Sequence, residues 1–290
     1  MFRKYGFVGI LLIIVAYIMN LTKTIPADPF GLILPQYFFI IGAFLFLDAL
    51  NFNLNKNSIL NRLRKKDFLI FKLIFVGLII GLIFEVYGVF ISNLWYSYFQ
   101  FWSLERQLIH YPSGLLVGYG LPALVYYSLY KVLAKFINFR TFKKSIKLNN
   151  AFFKFLLILG LIFLSIPILL YSSSLNWDPI LRGILFGFCL LGLWFVLEYF
   201  ENKSHRSTFL TTLLQGNWKP LSILLISSFI ISVSWENLDF MRHSWTYHNL
   251  PFMNVVVFGL PIMIILGWPF LFICYFSAYK IIFKDNEEIW

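Results

Sequence analysis

Charge is what this chain has least of. Charged side chains make up 13% of its 290 residues, about half the quarter that is usual in soluble domains. That shortfall excludes an ordinary soluble protein, since hydrophobic residues are 60% of the chain and mean hydropathy is +0.77. Cysteine is nearly absent as well. Cys189 and Cys274 both lie inside apolar runs, which excludes a disulfide framework and reads as two small buried apolar side chains. No glycine-rich phosphate loop occurs, and no aspartate-rich segment suited to magnesium diphosphate, which weakens a prenyltransferase reading. His110, His205, His243 and His248 have no metal-ligand spacing. No serine-histidine-acid order stands out, so neither a metal nor a cofactor is expected.

What the chain has in abundance is apolar runs. They lie at about 6–21, 31–52, 68–92, 111–137, 151–172, 179–200, 219–240 and 254–283, each long enough to cross a roughly 30 Å hydrocarbon core as a helix. Arg3 and Lys4 precede the first run as in a signal peptide, but no small-x-small cleavage pattern follows, so the reading is a retained first helix. The expected fold is an all-α polytopic membrane protein of about eight transmembrane helices.

The formal net charge of +11 points to anionic lipid headgroups as partners and not to nucleic acid. Lysine and arginine cluster before the first run, between the second and third (Lys56, Arg62, Arg64, Lys65, Lys66), between the fourth and fifth, and more thinly between the sixth and seventh. The alternate connections hold little beyond Lys23, Arg106, Arg182 and Arg242. The positive-inside rule then places both termini in the cytoplasm of a cell inner or plasma membrane.

The runs look like one unit written twice. Asp28-Pro29 and Asp178-Pro179 stand 150 residues apart, as do Asp48 and Glu198, and Trp95 and Trp245. Glu85 and Glu236 are 151 apart, and Gly120-Leu121-Pro122 and Gly259-Leu260-Pro261 are 139 apart. Four matches in near-constant register, and a fifth displaced by a shorter loop before the second Gly-Leu-Pro, predict two four-helix repeats, 1–148 and 149–290. An even number of spans per repeat gives the halves the same orientation, with a site between them.

The densest chemistry is in Ser232–Pro251, SVSWENLDFMRHSWTYHNLP. Glu236 falls about 17 residues into its helix, as does Glu85, roughly 26 Å from the helix start at 1.5 Å per residue. A carboxyl at that depth is costly unless it is functional. Asp239 lies at i+3 from Glu236, on the same helix face, and two carboxyls so close do not both ionise readily. A proton-loaded acid in an apolar pocket suits general acid catalysis on weak bases, alkenes included. Trp235, Trp245, Tyr247, His248 and Arg242 surround it, as Trp95 and Tyr96 follow Glu85. These aromatics read either as an interfacial belt or, where turned inward, as walls for a carbocation. Pro122 and Pro261 would free backbone carbonyls to line a polar cavity. Asp48 and Glu198 come near the opposite ends of their spans and read first as interfacial carboxylates.

The order Glu236-Asn-Leu-Asp239-Phe-Met-Arg242-His-Ser-Trp245-Thr-Tyr247-His248, followed by a Gly-x-Pro helix, resembles the integral-membrane lycopene cyclase domain family of carotenoid biosynthesis. Glu85, Trp95, Tyr96 and Gly120-Leu121-Pro122 look like the first-half counterpart. The resemblance covers about 81–130 and 232–282. Where that family usually carries two glutamates after the proline, this chain has Ala123-Leu124 and Ile262-Met263, and its eight spans exceed the usual six or seven. The resemblance implies redox-neutral cyclisation of a lipid-soluble isoprenoid or carotenoid, with Glu236 as acid, Glu85 as partner and Asp239 holding the proton. Two other classes fit the bare residues: a proton-coupled transporter, and a non-catalytic assembly protein with a polar seam.

Overall fold

A computed structural model describes residues 3–22, 29–97, 103–137, 146, 148–171, 177–204, 206–240 and 245–283. Eight helices among them are long and apolar enough to cross a membrane, so the protein is an all-α polytopic membrane protein. They are α1 (Lys4–Thr22), α2 (Pro29–Asn55), α4 (Leu69–Glu85, continued by a π-helix, Val86–Ile91), α5 and α6 (Leu104–Leu115 and Leu121–Phe136, joined by a second π-helix, Leu116–Gly120), α7 (Asn150–Leu169), α8 (Pro179–Lys203), α10 (Lys219–Phe240) and α11 (Ile262–Phe283). Two short helices, α3 (Ile59–Arg64) and α9 (Phe209–Leu214), complete the described helices. Among the described residues the strands are four short pieces, β1 (Trp95–Ser97) paired with β2 (Trp245–Tyr247), and β3 (Val256–Val257) paired with β4 (Leu260–Pro261).

Apolar composition explains the spans, and polar residues at their edges start the helices. Asn149 and Asp178 accept from the backbone N–H three residues on and so cap α7 and α8, with Pro179 at the first helical position, where its missing N–H is harmless. Pro35, Pro112, Pro167 and Pro269 lie within helices, which membrane spans tolerate better than soluble helices. Two span boundaries differ from the sequence reading. The last helix begins at Ile262 and not near 254, because 252–261 fold back as the β3–β4 hairpin. The fourth span begins at Leu104 and not near 111.

The chain forms two compact units, Met1–Leu82 with Tyr96–Phe136 and Ile230–Thr246, and Ile83–Trp95 with Ile137–Phe229 and Tyr247–Trp290. Neither unit is a contiguous half of the sequence. In the first, α1 lies against α2 at Gly9 and Gly42; a Cβ on Gly9 would stand 2.6 Å from the Gly42 carbonyl oxygen. Ile40, Leu69, Ile80 and Leu124 are buried there. In the second, α7 meets α8 through Gly160 and Gly192, where a Cβ on Gly160 would stand 2.8 Å from the Gly192 carbonyl oxygen. Phe153, Phe209, Phe272 and the free thiols Cys189 and Cys274 are buried in it. Small residues let helix backbones approach where no hydrophobic drive holds helices together in lipid. Phe7, Leu11, Ile14 and Ile18 on α1, and Phe155, Ile158, Leu161 and Ile162 on α7, are exposed as lipid-facing stripes.

The 150-residue register recurs in hydrogen bonds. Ser58 caps α3 and Thr208 caps α9. Asp48 Oδ1 accepts from the Leu60 N–H at 3.2 Å, and Glu198 Oε1 from the Leu210 N–H at 3.0 Å. The exits match too: the Asp67 N–H reaches the Arg62 carbonyl and the Asn217 N–H the Thr212 carbonyl, past Lys66 and Gly216, both at positive φ. The Gly-Leu-Pro segments, in contrast, are built differently. The first lies inside a continuous helical span, where the π-helix carries the chain into Pro122. The second is a strand, reached through Gly259 at φ 82°.

Candidate functional site

Glu236 and Asp239 lie in the first unit, one turn apart near the end of α10, and are 4% and 3% exposed. Trp245 donates its Nε1–H to Glu236 Oε2 at 3.2 Å. The Trp245 indole stacks on Trp235, centroids 5.8 Å apart and planes inclined by 21°, and Phe39 of α2 lies 6.1 Å from Trp235. Asp239 Oδ1 accepts from Gln36 Nε2 at 3.3 Å, and Asn20 of α1 donates to the Leu238 carbonyl at 3.2 Å. Each carboxyl therefore has a neutral N–H donor, in a setting of two indoles, a phenyl ring and two buried amides. Such surroundings withhold bulk water from both carboxyls. Arg242, also expected here, lies outside the described residues.

Glu85 belongs to the second unit, 7% exposed, where α4 passes into its π-helix. Single π-turns inside membrane helices re-aim side chains and often mark functional positions. The turn ends at Ser92. Asn93 follows in the left-handed region at φ 50°, and the Leu94 N–H returns to the Gly88 carbonyl at 2.8 Å. Asn93 is clamped from the segment after β2: His248 Nε2 lies 3.0 Å from its Oδ1, and Asn249 Nδ2 donates to its carbonyl at 2.8 Å. Arg182 of α8, itself buried, donates to the Ser92 carbonyl at 3.3 Å and to the Trp177 carbonyl at 2.9 Å, placing a cation at the carbonyl end of the π-turn, where it is favoured.

Trp95 lies flat on this turn. A Cβ on Gly88 would stand 1.8 Å from Trp95 Cη2, so only glycine admits the ring. Edge-to-face contacts to Phe186 at 5.2 Å and Tyr247 at 6.1 Å hold its other sides. Trp95 and Trp245 thus do different work, one packing on backbone and the other bonding a carboxylate. Tyr96 is partly buried, Pro122 is buried and Pro261 partly so.

No family model, curated protein or solved structure matches this chain.

Asp48 and Glu198, read from the sequence first as interfacial carboxylates, are wholly buried within the protein. Each bonds the first turn of the short helix twelve residues on, where a carboxylate meets unsatisfied N–H groups. Tyr5 adds its hydroxyl to Asp48 Oδ2 at 2.8 Å, and Trp194 its Nε1–H to Glu198 Oε1 at 2.9 Å. The residues that sequence reasoning missed are Glu201 and Lys280, a buried ion pair in the second unit. Ser277 donates to Glu201 Oε2 at 3.2 Å, and Lys280 Nζ donates to the Ser207 carbonyl at 2.7 Å. A lysine inside the last apolar run was the available signal. Gln36 and Asn20 were missed too, because a lone amide in an apolar run carries no charge to betray it.

Proposed function

We propose that the chain is an integral-membrane isoprenoid or carotenoid cyclase, similar to the lycopene cyclase domain family. Glu236 delivers a proton to a terminal carbon–carbon double bond, and the adjacent double bond attacks the resulting cation to close a ring. A carboxylate then removes a proton from a neighbouring carbon, so the product is an isomer and no redox partner is needed. Asp239 holds the Glu236 proton in place, and Glu85 is the partner carboxylate. The observation that carries this reading is Glu236 itself: buried at the end of a membrane helix, bonded to Trp245, with Asp239 one turn away and an indole stack beside it. An acid enclosed by apolar and aromatic groups suits a water-insoluble polyene better than a hydrophilic solute. The basic connections support an orientation with both termini on the cytoplasmic side of a cell membrane.

Membranes containing the protein, given linear C20–C40 polyenes in heavy water, should yield a cyclic isomer carrying one deuterium. Glu236→Gln preserves size and hydrogen bonding but cannot supply the proton, and should lose about 10²–10⁴ in rate while still binding the polyene. The buried Glu201–Lys280 pair favours a second reading, a proton-coupled carrier, because ionisable pairs inside spans often lie on ion routes. If no polyene is consumed and proteoliposomes show proton-driven uptake abolished by Glu236→Gln, the carrier reading replaces the cyclase.

A further inference from the structure

The ten residues between Phe252 and Pro261 are as apolar as a span but are not helical. They form a tight turn and the two-residue strands β3 and β4, in register Val256 to Pro261 and Val257 to Leu260. Phe252, in the first turn, and Phe258, in the turn between β3 and β4, both hold left-handed backbone, at φ 55° and φ 52°. That conformation is strained for a bulky side chain and persists only where something compensates. Both rings are largely exposed: Phe252 is 57% exposed and Phe258 is 65% exposed. Val255 and Val256 are exposed beside them. The Phe258 ring meets Phe229 edge to face at 5.6 Å, and Phe229 belongs with Leu225 and Ile226 to an exposed stripe of α10 in the same unit. The hairpin's rings therefore continue a lipid-facing helix surface.

We infer that this hairpin lies in the bilayer, its backbone at headgroup level and Phe252, Val255, Val256 and Phe258 seated among the acyl chains. The occupant of the apolar face is lipid. Water cannot compensate two strained phenylalanines held outward, whereas hydrocarbon does so by burying the rings. The backbone is prepared for that depth. The Val255 N–H bonds the Phe252 carbonyl and the Ile262 N–H the Val255 carbonyl, both at 2.9 Å, and the strand pair bonds itself. Irregular backbone is admitted near hydrocarbon only when its polar groups are satisfied in this way. The 252–261 hairpin is thus part of the membrane-embedded surface and not an aqueous loop, whatever the protein catalyses or carries.

The test is site-directed nitroxide labelling of the full chain in phosphatidylcholine liposomes, at V256C and F258C, one at a time. Native Cys189 and Cys274 are buried, and label taken up by the wild-type chain sets the background. N57C, in the exposed turn before α3, gives the aqueous reference, and F75C, on the exposed face of α4, gives the lipid reference. Collision with oxygen relative to a nickel chelate should be at least about threefold higher at both hairpin positions than at N57C, approaching F75C. A ratio below that threshold at either position overturns the inference. A polyene-processing assay on the same samples is independent of the outcome.

Discussion

Gly88→Ala is the sharpest test of how the Glu85 turn is built. The added methyl would fall 1.8 Å from Trp95 Cη2 and 2.3 Å from Cζ2, well inside any real carbon contact. Something must move, and the obstacle is a ring face with no flexible end. Forcing a methyl into a packed site costs about 1–3 kcal/mol. Displacing Trp95 also loosens its edge contacts to Phe186 and Tyr247, each worth about 0.5–1.5 kcal/mol. Alanine returns up to about 1 kcal/mol in a helical backbone. The balance is a loss of roughly 1–5 kcal/mol, read as a drop of several degrees in the melting temperature of the detergent-purified protein.

The control lies in the same unit. Gly187 of α8 has open space around its would-be Cβ, so Gly187→Ala should be neutral or gain up to about 1 kcal/mol. Thermal unfolding followed by tryptophan fluorescence and by circular dichroism reads both variants. If Gly88→Ala melts with Gly187→Ala, the indole does not lie on that turn, and the account of how Glu85 is aimed fails with it.

Other outcomes follow from the buried charges and the connections. Lys280→Met leaves the Glu201 carboxylate buried without its cation and should cost about 3–5 kcal/mol, most of it recovered by adding Glu201→Leu; denaturant unfolding of the two variants checks the pair. Asp48→Ala strips the acceptor from the part-buried Leu60 N–H and Tyr5 hydroxyl, at the lower end of about 1–3 kcal/mol for each; Tyr5→Phe should cost less in the same assay, since it leaves the carboxylate bound to Leu60. A membrane-impermeant thiol reagent applied outside intact cells should label a cysteine at Ser103 and spare one at Asn57; the reverse pattern would put the termini on the other side.

How much of this was legible depended on whether a residue's role is set by pattern or by depth. The spans were readable because eight apolar runs leave a chain no other way to satisfy its backbone in lipid. Glu236 and Asp239 were readable because two carboxylates one turn apart contradict their apolar surroundings. The π-helices were not, since nothing in Val86–Ile91 distinguishes i→i+5 from i→i+4 bonding until Trp95 needs room on Gly88. The hairpin was misread as the start of the last helix, because apolar composition reports lipid contact and says nothing of backbone shape. Glu201 was passed over beside Glu198, as its partner lies 79 residues away on α11.

The pair Asp48 and Glu198 keeps one hydrogen-bonding pattern at a 150-residue spacing while the residues around it differ. Both carboxylates keep their backbone donor twelve residues on, but the second donor has changed helices. In the first unit it is Tyr5 on α1, with Phe44 on α2 at the position matching Trp194. In the second it is Trp194 on α8, while the position matching Tyr5 is Phe155, exposed to lipid. A buried carboxylate needs donors and does not need them from a particular place, so phenol and indole can exchange positions without loss. The consequence is a directional coupling test. Trp194→Phe should destabilise by about 1–3 kcal/mol as a lost donor to a buried charge, and Phe155→Tyr added to it should restore part of that if the two units share one construction. Absence of any rescue would confine the likeness to the short helices and their caps.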